Sequence, residues 1–134
     1  MPDFNGLGMN IGNLSRLSRA LTRSISAENK TGEKGMGAMA DSGPFSNAAS
    51  ELGRGWKVSP AHPIGAGETY IMADVEGSGA IQSMWIGGHV GRQLILRIYW
   101  DDQENPSVEC PLSDFLPAGG MRAGITPQRV PLRR

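Results

Sequence analysis

Apolar and polar positions alternate most cleanly between Gln93 and Trp100. Leu94, Leu96, Ile98 and Trp100 fall on one side of this run, and Ile95, Arg97 and Tyr99 on the other. A period of two is the signature of a β-strand, because successive side chains point to opposite faces. Three further runs share it. Residues 68–75 oppose Thr69, Ile71 and Ala73 to Tyr70, Met72 and Asp74. Residues 80–86 follow the turn signal Gly77-Ser78-Gly79 and end at Gly87-Gly88. Residues 107–111 follow the polar loop Asp101-Asp102-Gln103-Glu104-Asn105-Pro106. Four short strands separated by turn residues, with no helical pattern between them, predict an antiparallel sheet.

A helical rhythm occurs once. Leu14, Leu17 and Leu21, spaced by three and four, make an apolar stripe behind Asn13 as N-cap, with Arg16, Arg19 and Arg23 on the more polar side. Two turns are too short to be stable alone, so this helix must dock on something larger. From Ser26 to Pro63 neither rhythm is present, and Thr31-Gly32-Glu33-Lys34-Gly35-Met36-Gly37 is flexible by composition. A loop of that length in a compact domain is unusual and is commonly functional. Its glycines lack the phosphate-loop order of four residues followed by Gly-Lys-Ser/Thr.

At 134 residues, the chain has room for one core. Its charge is zero overall but unevenly distributed. Residues 1–116 hold 9 Lys/Arg against 13 Asp/Glu, and residues 117–134 hold 4 Arg with no acid. An acidic body argues against nucleic-acid binding, which rests on clustered cations. The single cysteine, Cys110, rules out an internal disulfide and reads as a small buried hydrophobe. No apolar run of membrane-spanning length occurs, and the N-terminus lacks the features of a signal peptide. These readings predict a cytoplasmic protein with no membrane and no nucleic-acid partner. His62 and His89 have no partners at ligand spacing, so neither metal nor cofactor is expected. Ser24 and Ser26 lack the Gly-x-Ser-x-Gly elbow of a serine hydrolase.

Two polar segments are the densest in chemistry: Thr22-Arg23-Ser24-Ile25-Ser26-Ala27-Glu28-Asn29 and Ala49-Ser50-Glu51-Leu52-Gly53-Arg54-Gly55-Trp56-Lys57. Charges, hydroxyls and an amide gathered in a loop point to a polar binding surface. Together with Gly79-Ala80-Ile81-Gln82, Leu94-Ile95-Leu96-Arg97-Ile98-Tyr99-Trp100-Asp101-Asp102 and Pro111-Leu112-Ser113-Asp114-Phe115, they resemble the N-terminal signature of the domain of unknown function 2961, placed in glycoside hydrolase family 172. The resemblance runs in order over roughly residues 5–115.

The resemblance implies an all-β jelly-roll or β-sandwich. This chain would supply part of it: a short N-terminal helix, a long irregular loop and the first strands, over residues 1–116. Family members continue past Asp114-Phe115 into further strands, whereas residues 117–134 are basic and broken by prolines. We read that tail as truncated or frame-shifted. The family activity implied is hydrolysis or transglycosylation of furanosides such as fructofuranosyl and D-arabinofuranosyl linkages. Its members assemble as homo-oligomers, trimers or larger.

Glycosidic cleavage needs two carboxyl groups across one bond, about 5–5.5 Å apart for retention and about 6.5–9.5 Å for inversion. The candidates by position are Glu28, Glu51, Asp101, Asp102, Glu104 and Glu109. Adjacent Asp101 and Asp102 would face opposite sides of an extended segment, and Glu104 and Glu109 read as solvated. In the family resembled, the catalytic glutamates lie C-terminal to the matched region, so no residue here inherits a catalytic role. Sugar recognition is what carries over, onto Arg23, Ser24, Ser26, Glu28 and Asn29, with Trp56 as an exposed stacking platform. Arg and Asn supply fixed donors to hydroxyls and Glu accepts from them. Alternatively, Arg23 and Glu28 pair with each other and simply pin the loop. Trp85 and Trp100 read as core. The expected function is the N-terminal portion of a furanoside-acting glycosidase, inactive alone, or else a non-catalytic carbohydrate-binding or assembly module.

Overall fold

The computed structural model of the chain describes residues 4–116. The tail read as frame-shifted, residues 117–134, lies outside them. The chain divides into two compact units, residues 1–78 and 79–134.

The second unit is built on a hairpin. Strand β1, Ile95–Ile98, pairs antiparallel with β2, Val108–Pro111, in the register Ile95↔Pro111, Leu96↔Cys110, Arg97↔Glu109 and Ile98↔Val108. The alternation seen in the sequence is realised. Leu96 and Ile98 are 7% and 9% exposed, whereas Ile95 and Tyr99 are about half exposed. Leu96, Ile98 and Leu112 form the core, and Met84, Ile86, Val90, Leu94, Val108, Phe115 and Leu116 pack around it. Leu112 opens a single helical turn, α1 (Leu112–Phe115), and its N–H donates to the Leu94 carbonyl at 2.8 Å. Cys110 is half-buried and forms no disulfide. On the outer face Arg97 Nε meets Glu109 Oε2 at 2.6 Å. That hydrogen bond, and then the Glu109 charge, raise the Arg97 pKa above its ordinary value. The connecting loop turns at Asp101 and Asp102, both left-handed (φ 52° and 57°), with the Gln103 N–H donating to the Trp100 carbonyl at 3.1 Å. Two consecutive left-handed residues suit the twist of a hairpin, and aspartate tolerates that conformation.

Three expectations require correction. Residues 14–21 form no helix. A short 3-10 helix, Ile11–Asn13, is capped by Asn10, and Asn13 closes the capping box with its own side chain on the Asn10 N–H at 2.8 Å. Asn13 is thereby spent, and Leu14, Leu17 and Leu21 are 65%, 94% and 79% exposed with nothing to dock on. Without docking, the nucleation cost of so short a helix is not recovered. Residues 68–75 and 80–86 join no ladder among the described residues, although Met84 and Ile86 keep their shared face against the core. Trp85, read as core, is 82% exposed on the opposite face to Met84 and Ile86. Trp100 lies just past the strand end and is 38% exposed.

The first unit has a different centre. Its one fully buried apolar side chain among the described residues is Val58, and the buried polar residues Asn29 and Ser59 accompany it. Two short 3-10 helices, Ser46–Ala48 and Ser50–Leu52, lie on the loop that leads there.

The contrast between the two faces of β1 is measurable. Leu96→Ala should lower unfolding stability by about 2–5 kcal/mol in denaturant titration. Ile95→Ala, one residue away on the outer face, should cost less than about 1.5 kcal/mol.

Candidate functional site

Residues 22–37 close on themselves through backbone chemistry. Ser26 and Asn29 exchange both N–H···O bonds, at 3.0 and 3.1 Å, leaving Ala27 and Glu28 as the tip of a tight turn. The Asn29 side chain then reaches inward. Its amide nitrogen donates to the Ser24 carbonyl at 3.4 Å and the Glu33 carbonyl at 3.0 Å, and its amide oxygen accepts the Glu33 N–H at 3.1 Å. At 7% exposure, Asn29 is a buried polar pin with its donors and acceptor engaged. Gly32 completes the return. It holds φ at +66°, and a Cβ there would lie 3.2 Å from Arg23 Cβ and 3.1 Å from Ile25 Cγ1. Only glycine combines that conformation with so close an approach.

This double-back leaves an open cavity of about 210 Å³. One wall carries Thr22, Arg23, Ser24, Ser26 and Asn29; the other carries Gly32, Glu33, Lys34, Gly35 and Gly37. Drug-sized sites run to ~300–1,000 Å³, so this one is smaller than those. Four of the six residues picked from sequence, Arg23, Ser24, Ser26 and Asn29, therefore line one concavity.

The other two stand elsewhere. Glu28 turns away and accepts a hydrogen bond from the Ser59 N–H, while the Ser59 hydroxyl donates to the Pro44 carbonyl at 2.9 Å. Gly43 (φ +138°) lets the chain pass, since a Cβ there would be 2.6 Å from the Ser59 hydroxyl. Glu28 is thus a clasp that fastens the turn to the buried Val58-Ser59 pair. Arg23 donates to the Thr22 carbonyl at 2.9 Å, and among the described residues no ion pair joins it to Glu28. Trp56, 60% exposed, lies outside the cavity wall but only three residues from Ser59. Arg54 meets Asp41 at 3.4 Å, both well exposed, and the Gly55 N–H donates to the Ala38 carbonyl at 2.8 Å. Tyr70 is stacked on His62 with ring centroids 4.1 Å apart and has Lys30 Nζ 5.2 Å from its centroid.

Sequence reasoning missed Glu33, Lys34 and Ser59. The first two sit in the segment read as flexible by composition, where the glycines are in fact turn-forming. Ser59 is 31 residues from Glu28, and no local pattern announces that contact.

Residues 22–37 thus form a glycine-turned loop pinned by a buried amide, with hydroxyls, two cations and one carboxylate among the residues lining its concavity. The model of the GH172 first beta-sandwich domain matches residues 24–130, and the chain belongs to that glycoside hydrolase family. No curated protein and no solved structure matches. The two-stranded sheet and the alternation around it are consistent with an all-β domain.

Asn29→Ala would remove the side-chain partner of the part-buried Ser24 and Glu33 backbone groups, at a cost of about 1 kcal/mol. Hydrogen exchange at the Glu33 amide should accelerate correspondingly. Glu28→Gln keeps an oxygen for the Ser59 N–H and should preserve protection of that amide; Glu28→Ala should lose it.

Proposed function

We propose that this chain provides the sugar-recognising loop of a furanoside-acting glycoside hydrolase, for fructofuranosyl or D-arabinofuranosyl linkages, and that it works as a homo-oligomer. The bond-breaking acids are supplied from outside the cavity described above. The observation that carries this division is the deployment of carboxylates. Of the carboxylates in the residues lining the cavity, there is one, Glu33. Glu28 is engaged by Ser59, Asp41 by Arg54, Glu109 by Arg97 and Asp114 by Arg92. Cleavage requires an acid and a second carboxylate flanking one bond. Recognition requires only fixed donors and acceptors around a ring.

In this reading the residues divide their work. Arg23, Lys34, Ser24 and Ser26 address hydroxyls with side chains on the cavity wall, and Arg23 presents its donors in a rigid fork. Asn29 and Glu28 hold the wall in shape. Trp56 offers an aromatic face to the apolar side of a sugar at the margin. Family membership supports the carbohydrate class, and the furanose preference follows from the sequence resemblance. The alternative, a binding or assembly module with no catalytic partner, uses the same cavity; what separates the two is turnover by the complete assembly.

Calorimetric titration with methyl furanosides of fructose and D-arabinose tests the reading. The chain should bind them without turnover, and Arg23→Ala should weaken binding about tenfold, a loss of about 1.4 kcal/mol. Binding that is indifferent to both Arg23→Ala and Lys34→Ala, or turnover by the chain alone, would overturn it.

A further inference from the structure

The residues ahead of the family match form an arm whose charge is opposite to that of residues 28–116. Between Phe4 and Ala27 there are three arginines and no acid; between Glu28 and Leu116 there are twelve Asp/Glu against six Lys/Arg. The matched domain begins only at residue 24. The arm has some internal order: Phe4 bridges Ser18, and Arg16 lies over the Phe4 ring at 4.9 Å from its centroid. Four of its large apolar side chains have little cover among the described residues. Ile11 and Leu17 are 92% and 94% exposed, and Leu14 and Leu21 follow at 65% and 79%. A contiguous run of this kind, rimmed by one sign of charge, marks an interaction surface.

A complementary surface occurs on the same chain. Residues 68–76 pair with no strand among the described residues and expose Ile71 at 68% and Val75 at 67%, with Glu68, Asp74 and Glu76 interleaved. One segment alternates leucine with arginine; the other alternates isoleucine and valine with acids. We infer that the arm, residues 11–21, docks on residues 68–76 of a second copy of this chain. Each copy carries both halves of the contact, so passing the arm from copy to copy around a closed assembly buries both apolar surfaces and brings Arg16 and Arg19 to Asp74 and Glu76 at every contact. Apolar burial supplies the association, and the charges select the partner and register. This names the surface of the homo-oligomer proposed above. It does not depend on sugar recognition, so the two readings fail separately.

Sedimentation velocity on the 134-residue chain decides the matter. Reversible self-association is expected, weakening as salt screens the charges. Arg16→Glu with Arg19→Glu should weaken it about tenfold or more. Asp74→Lys with Glu76→Lys should do the same, and a mixture of the two variants should recover association as a heteromer. That recovery requires both variants to be folded. Leu17→Ser should also weaken association without a change of charge. A chain that stays monomeric at every concentration, a mixture that associates no better than its components, or a monomer that instead co-sediments with phosphatidylserine vesicles would overturn the proposal.

Discussion

The first unit depends on one buried amide. Taking an asparagine side chain out of water is costly unless its polar atoms find partners. Asn29 finds them all within nine residues of chain, on Ser24 and Glu33. The consequence runs outward. Because those carbonyls and that N–H are drawn to a single side chain, the backbone from Ser24 to Glu33 must double back, and the doubling creates the cavity walls. Val58 is the sole fully buried apolar side chain described there, so hydrophobic burial cannot hold the loop in shape. A polar network replaces a core, with the Glu28–Ser59 clasp as its second anchor. Such networks rigidify when every member is satisfied and weaken sharply when one is not.

The second unit follows the opposite logic. There the period-two pattern of Leu94, Leu96 and Ile98 needs only a partner strand and a few apolar neighbours, all within about thirty residues. This is why it was legible from sequence alone, down to which residues face inward. The arm was not. Leu14, Leu17 and Leu21 have helical spacing, but spacing specifies a helix only when a surface receives it, and Asn13 is drawn into the capping box of Asn10. Trp85 shows a related limit: its place at the end of an apolar run suggested burial, yet Met84 and Ile86 occupy the inward positions and leave it on the opposite face.

The candidate site was half legible for a physical reason. Arg23, Ser24, Ser26 and Asn29 are close in sequence, and a tight turn keeps neighbours together, so a local cluster became a spatial one. Composition could not separate side chains that face the cavity from those that build it. Asn29 and Glu28 look as fit for sugar as Arg23 does until their partners are known. Ser59 lies across a long loop, and contacts of that separation leave no periodic trace.

These features bear on how recognition and cleavage can be distributed in one family. A cavity held by backbone turns and a buried amide presents fixed donors, which is what discrimination among hydroxyl patterns requires. A general acid demands something different: a carboxyl group in surroundings that keep it protonated beside a second one that stays ionised. The cavity at residues 22–37 has one carboxylate, Glu33, among its lining residues, and so holds no such pair. On the proposed reading, the recognition wall would be joined to an acid pair lying outside this cavity. Separating the two tasks in that way would let the polar network around Asn29 stay rigid while the reacting groups are tuned elsewhere.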